Sequence, residues 1–448
     1  MTLRDPAAPA ADHPTLRPLT DAQLGLWLAH QMRPGDTDLH VLRAFRISGP
    51  LDRAALARAL ARVTYRHPAL RSLHPGDGPD GPVRRVQPPS GTPCWHDLGT
   101  GSDRELAAFH RRPFDLETEP PVRAGISRPG HDGTTLAAFC FHHIAMDGVS
   151  AVVFCLDLAD AYRAETSPDG VRATPAPATG RDRAPAPAQA PASRDGDDAR
   201  SAAYWADRLA APPPPLLPAP AGRVPPTGRP ARVRELRRGA ATVRVLRQTA
   251  RAAGATPHMV LTAAYAAALG EVFGRDDVIL GTPVSLRASG EADLVDCLVT
   301  LLPLRVQLAG RDRTALLRQV RERSLEAQRH RAVPAAALAR AAGTAVLESP
   351  YQAVIDVRHE QPPALPLWGC VSEAVHVEPG SVQYPLDLEA RIGDGSLRLV
   401  LRTDAATVPA LQADAVLAAV GRLLPHPVPW RAAPPDSSGP TSPKGVPA

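Results

Sequence analysis

The chain has 448 residues, of which 44% are hydrophobic and 22% are charged, with 51 prolines and a formal net charge of +5. These proportions are ordinary for a globular protein, and the length favours two lobes or domains over a single core. The arginines are scattered among acidic residues instead of forming a block, so the basic balance predicts no nucleic-acid partner.

The five cysteines are dispersed and fit neither a disulfide framework nor the spacing of zinc ligands. The N-terminal segment lacks the apolar core of an export signal, and no apolar run approaches the length of a membrane span. We therefore expect a cytoplasmic monomer without a membrane segment.

Helix and strand patterns alternate through the first half of the chain. Residues 1–16 are polar and rich in Ala and Pro, which predicts a flexible leader. One helix is predicted after Thr20, its N-cap, and a second after Asp52, with a strand at His40–Ser48 between them. A further strand is predicted to start at Leu70–Leu73. This pattern indicates a packed α/β unit.

The strongest functional signal lies at the end of a buried strand. The apolar run Thr135–Cys140 is typical of a strand buried on both faces, and a helix is predicted from Ala151 with Ser150 as its N-cap. Successive strand residues point to opposite faces. Only one of His142 and His143 can therefore enter a given cavity.

Two residues of the following loop add to this signal. Asp147 can turn back toward the histidines, and Gly148 permits a close approach of the backbone. These residue types fit one catalytic imidazole, a hydrogen-bonded structural histidine, or a metal site of two His and one Asp. The metal site is disfavoured because adjacent strand histidines diverge and neither HExxH nor CxxC occurs.

The second half repeats the alternation of helices and strands after a Pro/Ala-rich stretch. Its predicted elements are, in order, a helix at Thr256–Phe273, strands at Asp277–Pro283 and Leu298–Leu308, a helix at Thr314–Arg331, a strand at Tyr351–Val357 and a helix at Ala410–Leu424. The fold class is therefore two-lobed α/β or α+β. The predicted divisions are a leader 1–16, a first lobe 17–165, a linker 166–200, a second lobe 201–424 and a disordered tail 425–448.

Several motifs together resemble the condensation domains of nonribosomal peptide synthetases, members of an acyltransferase superfamily with an HHxxxDG motif. The matching stretches are Thr20–Trp27, Arg66–Arg71, His142–Gly148 (HHxxxDG in full), Tyr204–Trp205, Gly281–Arg287 and Leu302–Arg305. The chain lacks a GxSxG elbow and a GxxxxGK loop, so neither a common serine hydrolase nor a nucleotide-binding enzyme is predicted.

The resemblance implies a role for each matching site residue. His143 would face a tunnel between two lobes and contact the attacking amine, whereas His142 would be structural. Asp147 would pair with Arg287, and the amide of Gly148 would lie near the pantetheine thioester. The implied fold is two chloramphenicol-acetyltransferase-like lobes that form a V-shaped pseudo-dimer.

The resemblance also implies the reaction and its partners. A carrier protein would deliver an acyl or aminoacyl group as a phosphopantetheine thioester, and an amine or alcohol, free or on a second carrier, would take it as an amide or ester. No permanently bound cofactor or metal is expected. A start methionine and a polar tail around one such unit predict a free-standing enzyme. The alternatives are an acyltransferase that uses coenzyme A thioesters and a non-catalytic recruitment domain.

The chain departs from the family pattern at several positions. Asp296 and Thr300–Leu301 replace a Gly and an Asn-Thr pair before Leu302–Arg305, and Val149 stands where tryptophan is frequent. A later motif survives only as His330 with Val333–Pro334. Because His143 and Asp147 are retained, we expect an active but divergent enzyme.

Overall fold

The structure is a computed structural model that describes residues 15–78, 81–88, 95–167, 195–218, 229–344, 349–359 and 365–424. The elements of its first half are β1 (Thr15–Pro18), α1 (Asp21–Met32), β2 (His40–Ser48), α2 (Arg53–Arg66), β3 (Ser72–Leu73), β4 (Val83–Val86), β5 (Trp95–Asp97), α3 (Asp103–His110), β6 (Val122–Ile126), β7 (Thr135–His142) and α4 (Gly148–Thr166).

The second half adds α5 (Asp195–Leu209), β8 (Arg229–Gly239), α6 (Ala240–Ala252), α7 (Pro257–Phe273), β9 (Asp277–Ser285), β10 (Val299–Gln307), α8 (Arg313–Arg329), α9 (Ala335–Ala342), β11 (Ala353–His359), β12 (Val371–Val375), β13 (Ser381–Val382), β14 (Leu386–Ile392), β15 (Ser396–Asp404) and α10 (Ala410–Leu423). Helices and strands alternate in both halves, as the sequence predicts.

The described strands form one large sheet in each half of the chain and one small sheet. The first-half sheet has the order β12-β2-β7-β6-β5, and the second-half sheet has the order β10-β9-β11-β14-β15-β8-β13. The small sheet has the order β1-β4-β3. Strand β12 comes from the second half of the chain but pairs with β2, so it ties the two lobes together.

Each large sheet is covered by helices over a hydrophobic core. In the first lobe, Phe139 and Phe141 of β7 pack against Phe154 of α4 with ring centroids 5.3 and 4.9 Å apart. In the second lobe, α7 is buried on nearly every side between the sheet and neighbouring helices. Burial of each large apolar side chain contributes roughly 1.5–3 kcal/mol, so these cores hold the site's scaffold rigid.

Local signals predict several boundaries correctly. Thr20 caps α1 in a reciprocal arrangement with Gln23, and Asp52 caps α2. Helix α7 starts with Thr256 as N-cap and Pro257 in its first turn. The strand at His40–Ser48 is confirmed over its whole length.

Other local predictions are wrong. The side chain of Asp147, not that of Ser150, caps α4, because Asp147 accepts a hydrogen bond from the Ser150 amide. Residues Pro68–Arg71 form a 3-10 turn before the short β3, since Pro68 fits the first turn of a helix. The predicted leader includes Thr15, which pairs with Val86 as part of β1.

The predicted divisions of the chain stay a prediction. Helix α5 begins at Asp195, before the predicted end of the linker at residue 200, and β12 of the predicted second lobe joins the first-lobe sheet. Most of the predicted leader and linker, and all of the predicted tail, lie outside the described residues.

Candidate active site

Strand β7 delivers the two histidines to the junction between the lobes. All eight residues of β7 are buried, and a 3-10 turn over His143–Ala145 follows directly. The His142 amide donates to the Pro121 carbonyl at 3.0 Å, and the His143 amide donates to the Leu39 carbonyl at 2.7 Å. These backbone bonds fix the point where the chain leaves the sheet.

His142 lies in the core of the first lobe. Its Nδ1 accepts a hydrogen bond from the Ile144 amide at 3.1 Å, and its ring packs edge to face against His30 and Phe114. Burial, followed by the neighbouring histidines, holds the pKa of His142 well below its ordinary value. A neutral ring in this position suits a packing role.

His143 is half-buried, and its ring turns toward the second lobe. Its Nδ1 lies 3.8 Å from Sγ of Cys297, in the loop before β10. Burial lowers the pKa of His143, while a hydrogen bond to its own carbonyl and the charge of Asp147 partly oppose this. The imidazole is thus neutral near pH 7, and Nδ1 is the ring nitrogen that contacts Cys297.

Cys297 beside His143 remains a thiol. Burial, reinforced by Asp147 and Asp296, raises the pKa of Cys297 well above its ordinary value. A protonated thiol is a weak hydrogen-bond donor and a poor nucleophile. Cys297 therefore fits a neighbour that contacts Nδ1 of His143, and not a reactive thiolate.

Asp147 and Arg287 form a buried ion pair that joins the lobes. Nη2 of Arg287 donates to both carboxylate oxygens of Asp147, at 2.8 and 3.0 Å. Asp147 also accepts hydrogen bonds from the amides of Ser150 at 2.7 Å and Leu298 at 3.0 Å. With its acceptor positions occupied, Asp147 fixes the loop and is unsuited to take a proton from a substrate.

Arg287 has structural partners besides Asp147. Its Nη1 donates to the carbonyls of Glu291 at 2.8 Å and Leu294 at 3.0 Å, and its Nη2 donates to Oγ of Ser150 at 2.7 Å. The side chain therefore shapes the loop between β9 and β10. The structural role that the resemblance implies for Arg287 stays a prediction.

The sequence did not predict a second interlobe network, which is centred on Asp296. Oγ of Ser150 donates to the Asp296 carbonyl at 2.6 Å and accepts from the Asp296 amide at 3.0 Å. The Asp296 carboxylate accepts from Nη1 of Arg84 at 2.7 Å and from Nε2 of Gln23 at 3.0 Å. The departure from the family pattern at Asp296 was the signal that could have pointed to it.

A half-buried histidine, His258, was also missed. It lies in the first turn of α7, and its Nε2 is 3.0 Å from Oγ1 of Thr282, within the Gly281–Arg287 motif. Burial lowers the pKa of His258, and the charge of Asp356 opposes this. The sequence signal was a histidine directly after the Thr256-Pro257 helix start.

Gly148 lies at the start of α4 with open space beside it. A Cβ atom built on Gly148 meets no heavy atom within 4 Å. Packing within the described protein therefore does not require glycine here. Gly281 differs, because a Cβ at that position would lie 2.5 Å from the ring of Tyr351.

Two further motifs serve the scaffold. Arg305 pairs with Asp277 at 2.7 Å and donates to the Ala210 carbonyl at 2.7 Å, which joins β10 to the end of α5. His67 lies 2.7 Å from Asp157, which joins the end of α2 to α4. Within the described ranges, no three His, Cys, Asp or Glu side chains are grouped to hold a metal ion.

A family model and a curated relative identify the chain. The model described as Condensation domain matches residues 15–400. The chain is 34% identical over 354 residues to a probable non-canonical nonribosomal peptide synthetase, CymA, of Salinispora arenicola, a match that covers 73% of the chain and 4% of the synthetase. The chain belongs to the condensation-domain family.

Solved structures of condensation domains share this fold. The first condensation domain of the calcium-dependent antibiotic synthetase superposes with a TM-score of 0.74 at 25% identity, over 92% of this chain and 95% of that one. The X-domain from teicoplanin biosynthesis reaches 0.77 at 22% identity, over 94% and 96% of the two chains, which shows the fold alone. The predicted fold of two acetyltransferase-like lobes is confirmed.

Family membership also defines the class of chemistry. Condensation domains are acyltransferases that form amide bonds in natural-product biosynthesis, so the predicted enzyme class is confirmed. The condensation domain spans only 4%, 13% and 31% of three curated synthetases that it matches. None of the helices in the described part of the chain is long and apolar enough to cross a membrane.

Proposed function

We propose that this condensation domain transfers an acyl or aminoacyl group from the phosphopantetheine thioester of a carrier protein to an amine, forming an amide, or to an alcohol, forming an ester. One observation carries the proposal. His143 is a neutral, half-buried imidazole whose Nδ1 contacts Cys297 across the lobes, and we assign the other ring nitrogen, Nε2, to the substrate. No protein nucleophile is needed, because a thioester is already an activated acyl donor.

The chain's own residues account for the chemistry. The amine nitrogen attacks the thioester carbonyl, so a C–N bond forms and the C–S bond breaks. Nε2 of His143 accepts the proton lost by the nitrogen and returns it to the leaving sulfur, which departs as the thiol. Two substrates bound in one site also react faster than in solution, because their relative motion is already restricted.

Asp147 and Arg287 act as positioning residues in this scheme. Their ion pair and the Leu298 bond hold the His143 turn against the loop before β10. Open space beside Gly148 supports the approach of the pantetheine thioester at the start of α4. Because the imidazole is already held in place, the reaction needs no further free energy to orient it.

A transfer assay read by mass spectrometry tests the proposal. A carrier protein loaded with an acyl-phosphopantetheine is offered a panel of amines and alcohols, with the wild type beside His143→Ala and with Arg58→Gln as a surface control. We expect amide or ester product from the wild type and the control, and a loss of at least a hundredfold in the rate for His143→Ala.

Three other outcomes would contradict the proposal. Transfer from free coenzyme A thioesters, with none from any carrier, would identify a coenzyme A-dependent acyltransferase. Carrier binding without transfer, unchanged in His143→Ala, would identify a recruitment domain. Full transfer activity in His143→Ala would exclude the assigned proton transfer.

A further inference from the structure

The carboxylate of Asp296, in the loop before β10, is linked to His143 by two routes. In the first route, Oδ1 of Asp296 accepts a hydrogen bond from the Cys297 amide at 2.9 Å. The Sγ of Cys297 lies 3.8 Å from Nδ1 of His143. The carboxylate therefore fixes the backbone of the residue whose thiol contacts the imidazole.

The second route runs through Gln23 of α1. Nε2 of Gln23 donates to Oδ1 of Asp296 at 3.0 Å and to the Ile144 carbonyl at 3.2 Å. Ile144 follows His143 directly in the 3-10 turn. One side-chain nitrogen thus joins the turn in the first lobe to the carboxylate in the second, and Oδ1 is the acceptor in both routes.

The other carboxylate oxygen of Asp296 faces a cation. Oδ2 accepts from Nη1 of Arg84 at 2.7 Å, and Nε of Arg84 donates to Oγ of Ser72 at 3.0 Å. Asp296 and Arg84 are only 6% and 7% exposed, so neither side chain is open to a substrate. A carboxylate that is buried and paired in this way can act on the reaction only through the residues that it holds.

We propose that Asp296 is a positioning residue for acyl transfer, which holds the ring of His143 through Cys297 and its turn through Gln23. This inference rests on the proposed function, because it assigns Asp296 to the residue that moves the proton. Asp296 stands where the family pattern has glycine, which has no side chain to accept either bond. Misplacing a reacting group by about 1 Å can reduce a rate by roughly a hundredfold, so the two routes can determine kcat.

Two variants break the ion pair from opposite sides and thereby separate positioning from stability. In Asp296→Asn, the one remaining oxygen should turn to the buried Arg84, because charge-assisted hydrogen bonds are the stronger ones. The NH₂ group would then face Gln23 and Cys297, and it cannot accept a hydrogen bond from either of them. In Arg84→Met, by contrast, the carboxylate and both routes to His143 remain.

We expect both variants to lose stability, because each leaves a buried charge unmatched. Only Asp296→Asn should lower kcat for transfer from the loaded carrier, by about tenfold, with both KM values within about twofold of the wild type. Arg84→Met should keep kcat within about threefold of the wild type. Each assay is run at a temperature at which circular dichroism shows the variant to be folded.

A further variant, Gln23→Met, removes only the second route and leaves the ion pair of Asp296 and Arg84 in place. It should lower kcat by about three- to tenfold, so the test does not depend on the folding of Asp296→Asn. The matched control is Asp157→Asn, which should keep the kcat of the wild type. Asp157 is a largely buried carboxylate, 14% exposed, that lies 2.7 Å from His67 and outside both routes.

The His143→Ala background decides whether Asp296 acts through the imidazole. A positioning residue has nothing to hold once the ring is removed, so adding Asp296→Asn should leave the residual rate of His143→Ala unchanged within about twofold. A residue that only stabilised the fold would lower the rate by the same factor in both backgrounds.

Three results would overturn the inference without touching the proposed function, which depends on transfer by the wild type and its loss in His143→Ala. They are an equal loss of kcat in Asp296→Asn and Arg84→Met, an undiminished effect of Asp296→Asn in the His143→Ala background, and an unchanged kcat in both Asp296→Asn and Gln23→Met. Absence of transfer to every acceptor in the wild type would overturn the proposed function itself, and this inference with it.

Discussion

Asp147 and Arg287 are 140 positions apart in the chain, yet one nitrogen of Arg287 lies 2.8 and 3.0 Å from the two carboxylate oxygens of Asp147. Both side chains are almost fully buried, at 4% and 9% exposed for Asp147 and Arg287. A buried ion pair of this kind adds little net stability compared with an apolar pair, but loss of one partner leaves a buried charge unmatched. Substitution of only one of the two residues is therefore the best test of the pair's role.

We predict that Arg287→Ala lowers the free energy of unfolding by about 3–5 kcal/mol, because Asp147 keeps its charge and loses its partner. Urea denaturation followed by circular dichroism measures this change. The control is Arg234→Ala, since Arg234 pairs with Asp414 on the surface and such exposed pairs contribute about 0–1 kcal/mol. Equal losses in the two variants would contradict the assigned role of Arg287.

A second prediction concerns the pair of Asp296 and Arg84, which lie 2.7 Å apart and are both buried. Asp296→Ala should also destabilise the protein by about 3–5 kcal/mol, because Arg84 and Gln23 lose their acceptor. Asp296→Asn keeps an acceptor oxygen for one of them and should be less harmful. In a double-mutant cycle, Asp296→Ala and Arg84→Met should show a coupling of at least 1 kcal/mol, and additive effects would argue against a direct interaction.

The secondary structure could be predicted because its signals are local. Caps at Thr20, Asp52 and Thr256, and the apolar pattern of β7, lie within a few residues of the elements they define. The prediction of Ser150 as the N-cap was wrong because Asp147 and Ser150 are both cap-forming residues and stand close together. Which of them caps α4 depends on Arg287, far along the chain, which donates to Oγ of Ser150. Local patterns cannot decide such a choice.

The site could be predicted only in part. The pairing of Asp147 with Arg287 followed from the family resemblance, since no local pattern joins residues so distant. The cross-strand row of Arg358, Arg391, Arg398 and Arg237 could not be predicted at all. Its members come from β11, β14, β15 and β8, so it exists only once the strand order and the register are known.

Buried histidines make stability depend on pH. Burial lowers the pKa of His40 and of His74 to about 3, and that of His110 to about 4. Below pH 6.5, these histidines bind protons in the unfolded chain but stay neutral in the folded protein. The free energy of unfolding should therefore fall as the pH falls from 6.5 toward 3. Each such histidine contributes up to about 1.4 kcal/mol per pH unit in that window.

Two carboxyl groups act in the opposite direction. Burial raises the pKa of Asp38 to about 7 and that of Asp387 to about 6. As the pH falls, these groups therefore bind protons in the folded state at a higher pH than in the unfolded state. The buried histidines outnumber them, and we expect the unfolding free energy from urea titrations to decrease between pH 7.5 and pH 5. His74→Leu should reduce this slope by about one proton, and a slope equal to that of the wild type would refute the assignment.

Substitution of Cys297 distinguishes direct transfer of the acyl group to the acceptor from transfer through an acyl-cysteine intermediate. Direct transfer needs only a neutral neighbour at Nδ1 of His143, and the 3.8 Å contact with Sγ is weak. We therefore predict that Cys297→Ala lowers kcat by less than tenfold and that Cys297→Ser lies between it and the wild type. A sulfur that carried the acyl group would instead be indispensable, and Cys297→Ala would abolish transfer.

Alkylation provides an independent measurement of the same thiol. Burial raises the pKa of Cys140, Cys155 and Cys297, and each is almost fully buried, whereas Cys370 is partly exposed. Iodoacetamide reacts with the thiolate, so in the folded protein Cys370 should be modified well before these three. Peptide mapping after a short exposure reads the order directly. Rapid and selective modification of Cys297 would show an activated thiolate beside His143 and would favour the acyl-cysteine route.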